Sequence, residues 1–130
     1  MPARPHTILV VDDDPEVRAA LTELLETEGY DVLPAANGMA ALAAARRGPP
    51  PCAILLDLMM PHMDGWDFRA EQRRDPALKD VPVVVITAAG FSPESVRAQL
   101  GEDVEFVPKP PPADGLLSVV GRLCCRTHDA

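Results

Sequence analysis

Cysteine is scarce, with three in 130 residues. Cys52 lies inside an apolar run and Cys124 and Cys125 are neighbours near the end, a spacing that offers neither a disulfide framework nor a metal knuckle. The expectation is free, structural thiols in a reducing compartment. Basic residues are outnumbered, 12 against 20 acidic ones for a net charge of -8, and no basic run is longer than Arg46-Arg47 or Arg73-Arg74. That excludes direct nucleic-acid binding through phosphate contacts as this chain's own activity. No apolar stretch approaches the roughly 20 residues that span a bilayer, and Met1 to Thr7 lacks the apolar middle of a signal peptide. The expected setting is cytoplasmic, without membrane insertion.

What is present is globular: 47% apolar residues and a mean hydropathy of +0.01. The length suits one ordinary core, so a single domain over 1–130 is expected, with no output domain following it. Strand and helix patterns alternate five times. Thr7 to Val11 is a β-branched run of the kind buried on both faces of a sheet. Asp14 can cap a helix and Pro15 suits its first position, with Val17, Ala20, Leu21, Leu24 and Leu25 on one face and Gly29 as the stop. Tyr30 to Leu33 is a weaker strand, Gly38 to Arg47 an alanine-rich helix, and Gly48-Pro49-Pro50-Pro51 a break. Cys52 to Leu56 reads as a second strongly buried strand. A polar helix over 66–74, a strand from Val81 to Thr87, a helix from Pro93 to Leu100, a strand from Val104 to Val107 and a last helix from Ala113 to Arg126 complete the pattern. Gly115 and Gly121 weaken that final helix.

Such alternation predicts an α/β fold, a doubly wound five-stranded parallel sheet with helices on both faces, because parallel strands need helical crossovers. In that architecture function sits beyond the carboxyl ends of the strands. Those ends collect Asp12 and Asp13, Asp57, Thr87 and Lys109. Three carboxylates on one rim repel by roughly 4 kcal/mol per pair at ~4 Å and an effective dielectric near 20. Oxygen ligands in small number suit Mg²⁺ or Mn²⁺ better than zinc, since His62 is the only nearby nitrogen ligand. A metal would let a phosphate approach an aspartate nucleophile, with a lysine and a hydroxyl neutralising phosphoryl oxygens. Asp57, alone at a central strand end, is the natural nucleophile. Asp14 reads as a helix cap only, and Met59, Met60 and Met63 as loop packing.

With these residues in place, the segments VVDDD, LLDLMMPHMDG, VVVITA and VPKP resemble, in order, the four signature regions of the response-regulator receiver domains of two-component signalling. The likeness covers about residues 7 to 126. It implies the flavodoxin-like strand order 2-1-3-4-5 and a phosphoacceptor role for Asp57 in a Mg²⁺-dependent (or Mn²⁺-dependent) reaction. Asp12 and Asp13 would be the metal pair, completed by Asp57 and the Met59 backbone carbonyl. Thr87 would be the switch hydroxyl, Lys109 the phosphate-contacting lysine and Phe106 the aromatic that turns inward on phosphorylation; Lys109-Pro110 lies where the family has a cis peptide. The implied partners are a sensor histidine kinase or histidine phosphotransfer protein and a downstream protein target. Acceptance and hydrolysis of its own phosphoryl group would be the only chemistry, so the chain is not expected to be an enzyme.

Two departures stand out. Glu102-Asp103 occupies the place where the family usually has a small Gly-Ala pair, and the run from Pro108 to Pro112 is unusually proline-rich. A receiver module belonging to a larger hybrid kinase or transcriptional regulator, and a phosphorylation-independent interaction module of the same fold, stay open as alternatives. An aspartyl phosphatase is disfavoured, because Met59 stands where its second acid would be. An anionic flavin phosphate is poorly matched to the acidic rim.

Overall fold

The computed structural model describes residues 4–58, 63–87, 92–108 and 113–128, with side chains over 6–58, 63–86, 92–107 and 113–124. Ten elements alternate: β1 (Arg4–Val11), α1 (Pro15–Thr27), β2 (Asp31–Ala35), α2 (Gly38–Arg46), β3 (Pro51–Leu56), α3 (Gly65–Arg74), β4 (Val83–Thr87), α4 (Pro93–Leu100), β5 (Glu105–Pro108) and α5 (Ala113–His128). The strands form one sheet in the order β2-β1-β3-β4-β5, all neighbours parallel. This is the doubly wound arrangement the alternation implies.

The alternation of side chains along a strand divides the core in two. Ile8, Val10, Ala53, Leu55, Val84 and Ile86 face α1 and α5, where Leu21, Leu25, Leu116, Val120 and Leu123 close over them. Leu9, Val11, Ile54, Leu56, Val83 and Val85 face α2, α3 and α4, against Leu42, Phe68, Val96 and Leu100. Every residue of β3 is buried, as a central parallel strand requires. β2 lies at an edge, where Pro34 is tolerated because one side of the strand needs no ladder.

Local chemistry sets the helix limits. The Asp14 carboxylate accepts from the N–H groups of Glu16 and Val17, with Pro15 beginning α1, and Gly29 at φ 96° follows its end in the left-handed region. Ala20 is exposed rather than on the buried face, since Leu21 and Leu25 already fill it. At the far end of α3 the Asp75 carboxylate takes the Arg46 guanidinium at 2.9 Å and the Ala77 N–H at 2.9 Å.

The cysteines overturn their expectation. Cys52 and Cys124 are bonded as a disulfide, their Cα atoms 5.5 Å apart across 72 residues of sequence. The fold lays the end of α5 against the start of β3, so partners without any local spacing signal meet in the core.

The polar helix α3 buries Phe68 together with Arg69 and Gln72. The Arg69 guanidinium donates to the Leu100 carbonyl at 2.9 Å, to Gln72 Oε1 at 2.8 Å and to Asp103 Oδ1 at 3.0 Å. The Gln72 amide donates to the carbonyls of Leu78 and Val81 at 2.8 and 3.0 Å. Buried polar groups persist when each has such partners. Asp103, one of the two acidic residues that depart from the family pattern, is therefore the counter-charge of a buried arginine.

Candidate functional site

β1 and β3 are adjacent, with Val11 opposite Leu56, and the pairing runs one residue past each strand. The Asp57 N–H donates to the Val11 carbonyl at 2.9 Å, and the Asp12 N–H to the Ala35 carbonyl at 3.1 Å. Backbone pairing thus carries two carboxylates to the same rim. Asp12 and Asp57 are 2% and 5% exposed, while Asp13, one residue on, is exposed to water. One carboxylate oxygen from each of the three lies within 4.8 Å of the others.

The acidic segment is held as well as placed. Asp12 Oδ1 accepts from the Asp14 N–H at 2.9 Å, and the Asp12 carbonyl accepts from Arg18 Nη1 at 2.8 Å. Asp14 points away into the α1 cap, as expected from its position before Pro15. On the other strand end, α3 presses directly on the Asp57 backbone. The Gly65 N–H donates to the Leu58 carbonyl at 3.0 Å. A Cβ at Gly65 would stand 2.6 Å from Leu58 Cα and 2.7 Å from the Asp57 carbonyl oxygen. Gly38 is covered in the same way by Met63, whose carbonyl accepts its N–H at 3.1 Å. Met63 thus packs against the start of α2, in line with the packing role expected of it, whereas Met59 and Met60 lie outside the described residues.

Among the expected site residues, the structure brings together Asp12, Asp13 and Asp57. Thr87 is the last residue of β4, opposite Pro108, which sets its backbone at the same edge of the sheet; its side chain lies outside the described residues. Met59, His62, Lys109 and Pro110 also lie outside them. Phe106 is on β5 opposite Val85, half-buried against the α2–α3–α4 side of the core. Sequence reasoning missed Gly65 and Arg18. The Asp64-Gly65 pair carried a signal, since Asp64 caps α3 and the residue after it must approach β3 closely. Arg18 carried only its place on the first turn of α1.

A donor set made entirely of carboxylate oxygens, two buried and one reaching water, fits a hard divalent cation that keeps part of its hydration shell. Such a cation would offset the mutual repulsion of carboxylates this close.

Known proteins share this architecture. The chain is 34% identical over 120 residues to the DNA-binding dual master transcriptional regulator RpaA of a Synechocystis species, covering 92% of this chain and 49% of that protein. It thus spans about half the length of this relative. The signal receiver domain of a signal transduction histidine kinase from Syntrophus aciditrophicus superposes with a TM-score of 0.82 at 30% identity, over 93% of this chain and 91% of that one. The receiver domain of a sensor histidine kinase from Pseudomonas aeruginosa PAO1 superposes with a TM-score of 0.79 at 26% identity, over 92% and 98%. That domain has a magnesium ion coordinated in its active site cleft. Residues 8–121 match the family described as "Response regulator receiver domain", and with fold, acidic rim and relatives in agreement the chain belongs to that family of two-component signalling proteins.

Proposed function

We propose that this chain, as one receiver domain, accepts a phosphoryl group on Asp57 from a phosphohistidine of a sensor histidine kinase or histidine phosphotransfer protein. It then signals to a downstream protein target through a changed protein-binding face. The observation that carries this reading is the buried Asp57 carboxylate at a central strand end, within 4.8 Å of Asp12 and Asp13 oxygens. Carboxylates gathered this closely offer oxygen ligands for the divalent cation that would let a phosphoryl group approach Asp57.

In this reading an Asp57 oxygen attacks phosphorus in line. The O–P bond forms as the N–P bond breaks, and the electron pair of the broken bond returns to the imidazole nitrogen. Asp12, Asp13, Asp57 and the Met59 carbonyl would hold Mg²⁺ or Mn²⁺, which when bound supplies positive charge to the phosphoryl oxygens. Asp57 is kept in place by its backbone bond to Val11 and by the contact with Gly65. The Thr87 hydroxyl and the Lys109 ammonium take the remaining phosphoryl oxygens, and Thr87 with Phe106 relays the change to the face that includes β5. The setting implied is cytoplasmic, where a disulfide such as Cys52–Cys124 is contested by cellular reductants.

The test is labelling with acetyl phosphate and Mg²⁺, read by intact mass. The wild-type chain should gain one phosphoryl increment and Asp57→Asn none, with circular dichroism showing that the variant is folded. Labelling of Asp57→Asn at the wild-type level would remove Asp57 from the proposed role.

A further inference from the structure

We propose that Arg18 is a positioning residue for the cation site, which rests on the reading that Asp12, Asp13 and Asp57 hold a divalent cation. Arg18 sits half-buried on the first turn of α1, where its own N–H donates to the Asp14 carbonyl at 2.9 Å. Its guanidinium reaches back to donate to the Asp12 carbonyl at 2.8 Å. Asp12 is therefore tied at three separate atoms. Its N–H is bound to the Ala35 carbonyl, its Oδ1 to the Asp14 N–H and its carbonyl to Arg18. The Asp12–Asp14 segment and the start of α1 form one closed frame, in which Arg18 supplies the strut that reaches back from the helix to the Asp12 backbone.

Two effects of this guanidinium oppose each other. Its positive charge close to the rim disfavours a second cation, whereas its hydrogen bond holds the acidic segment in register against the mutual repulsion of its carboxylates. Repulsion alone would turn the exposed Asp13 side chain away from buried Asp12 and Asp57. Pre-ordering of ligands by residues behind them is worth about 10- to 100-fold in metal affinity. The geometry points to positioning as the larger effect, because the bond Arg18 donates goes to backbone and not to a ligand oxygen.

The sign of one measurement separates the two effects. Mg²⁺ is titrated calorimetrically into the wild-type chain, Arg18→Met and Arg18→Lys, and each is melted without Mg²⁺. Arg18→Met should weaken Mg²⁺ binding about tenfold or more, and Arg18→Lys, which keeps the charge but loses the planar donor, should weaken it less and in the same direction. Tighter or unchanged binding by Arg18→Met, whatever its melting temperature, overturns the proposal. If Arg18→Met does not fold, wild-type affinity in Arg18→Lys overturns it. A wild-type chain that ignores Mg²⁺ overturns both the cation reading and this proposal, whereas wild-type binding with an unaffected variant defeats only the latter.

Discussion

Replacing Gly65 by Ala should damage the site from behind, through a contact too short for any side chain. The added Cβ would meet Leu58 Cα at 2.6 Å, the Asp57 carbonyl oxygen at 2.7 Å and Leu58 Cδ2 at 2.8 Å, where ordinary contact begins at 3.4 Å. Two of these atoms are backbone, so relief requires the end of β3 and the start of α3 to part by roughly 0.8 Å, since repulsion rises steeply inside contact distance. Overpacking of this kind costs about 1–3 kcal/mol, more than the about 1 kcal/mol by which Ala is favoured over Gly in a helix. One of the displaced atoms is the carbonyl oxygen of the proposed nucleophile and the other two belong to the residue after it, and a misplacement of about 1 Å costs about 10²-fold in rate. Gly121 supplies the control: among the described residues its added Cβ would meet only the Tyr30 hydroxyl, at 3.9 Å. Gly121→Ala should stabilise by up to about 1 kcal/mol and leave phosphoryl acceptance alone. Urea denaturation and the initial rate of labelling by acetyl phosphate read both effects. If Gly65→Ala is as stable as Gly121→Ala and labels at the wild-type rate, the close approach of α3 does not position Asp57.

Two further outcomes are expected. The Cys52–Cys124 bond closes 72 residues, for which chain entropy gives about 4 kcal/mol; reductant should lower the urea midpoint, and the chain denatured in urea without reductant should titrate one thiol, three being the result that denies the bond. The Arg46 guanidinium, with the Ala77 N–H beside it, holds the Asp75 carboxyl below its ordinary value of 3.8. A depressed folded-state pKa contributes stability above 3.8 that is lost as pH falls through the folded value. Asp75→Asn should therefore be slightly less stable than wild type at pH 7, a small effect because Arg46 is half-exposed. The gap should narrow as pH falls below 3.8, and a gap that stays constant through that acid range would contradict the assignment.

The architecture was legible because buried parallel strands leave uninterrupted apolar runs, and β1 and β3 carry the clearest ones. The matching of strand ends to acidic residues then located Asp12, Asp13 and Asp57. Limits were less legible where turn chemistry competes with apolar content. Val81 is apolar and buried, yet its N–H serves the turn that follows α3, so β4 begins at Val83. Contacts between distant segments left no trace in local pattern. The pairing of Cys52 with Cys124, and of Arg69 with Leu100 and Asp103, depends on which helices the fold stacks together. A helix that looks merely polar, as α3 does, can hide its arginine and glutamine in the core.

The bonds of Arg69 have a mechanical consequence for α4. Both Arg69 and Arg73 donate to the Leu100 carbonyl, at 2.9 and 3.3 Å, and Gly101 beyond it bends at φ 116° against the Asp103 carboxylate. The carboxyl end of α4 is thereby a fulcrum. Any displacement of the helix that keeps these bonds is a rotation about Leu100 and not a translation. The helix is about 12 Å long, at 1.5 Å per residue, so a tilt of about 10° moves the Ser92 end by about 2 Å while Leu100 stays still. A partner resting on the amino end of α4 would feel such a lever in full, and one resting near Leu100 would feel almost nothing.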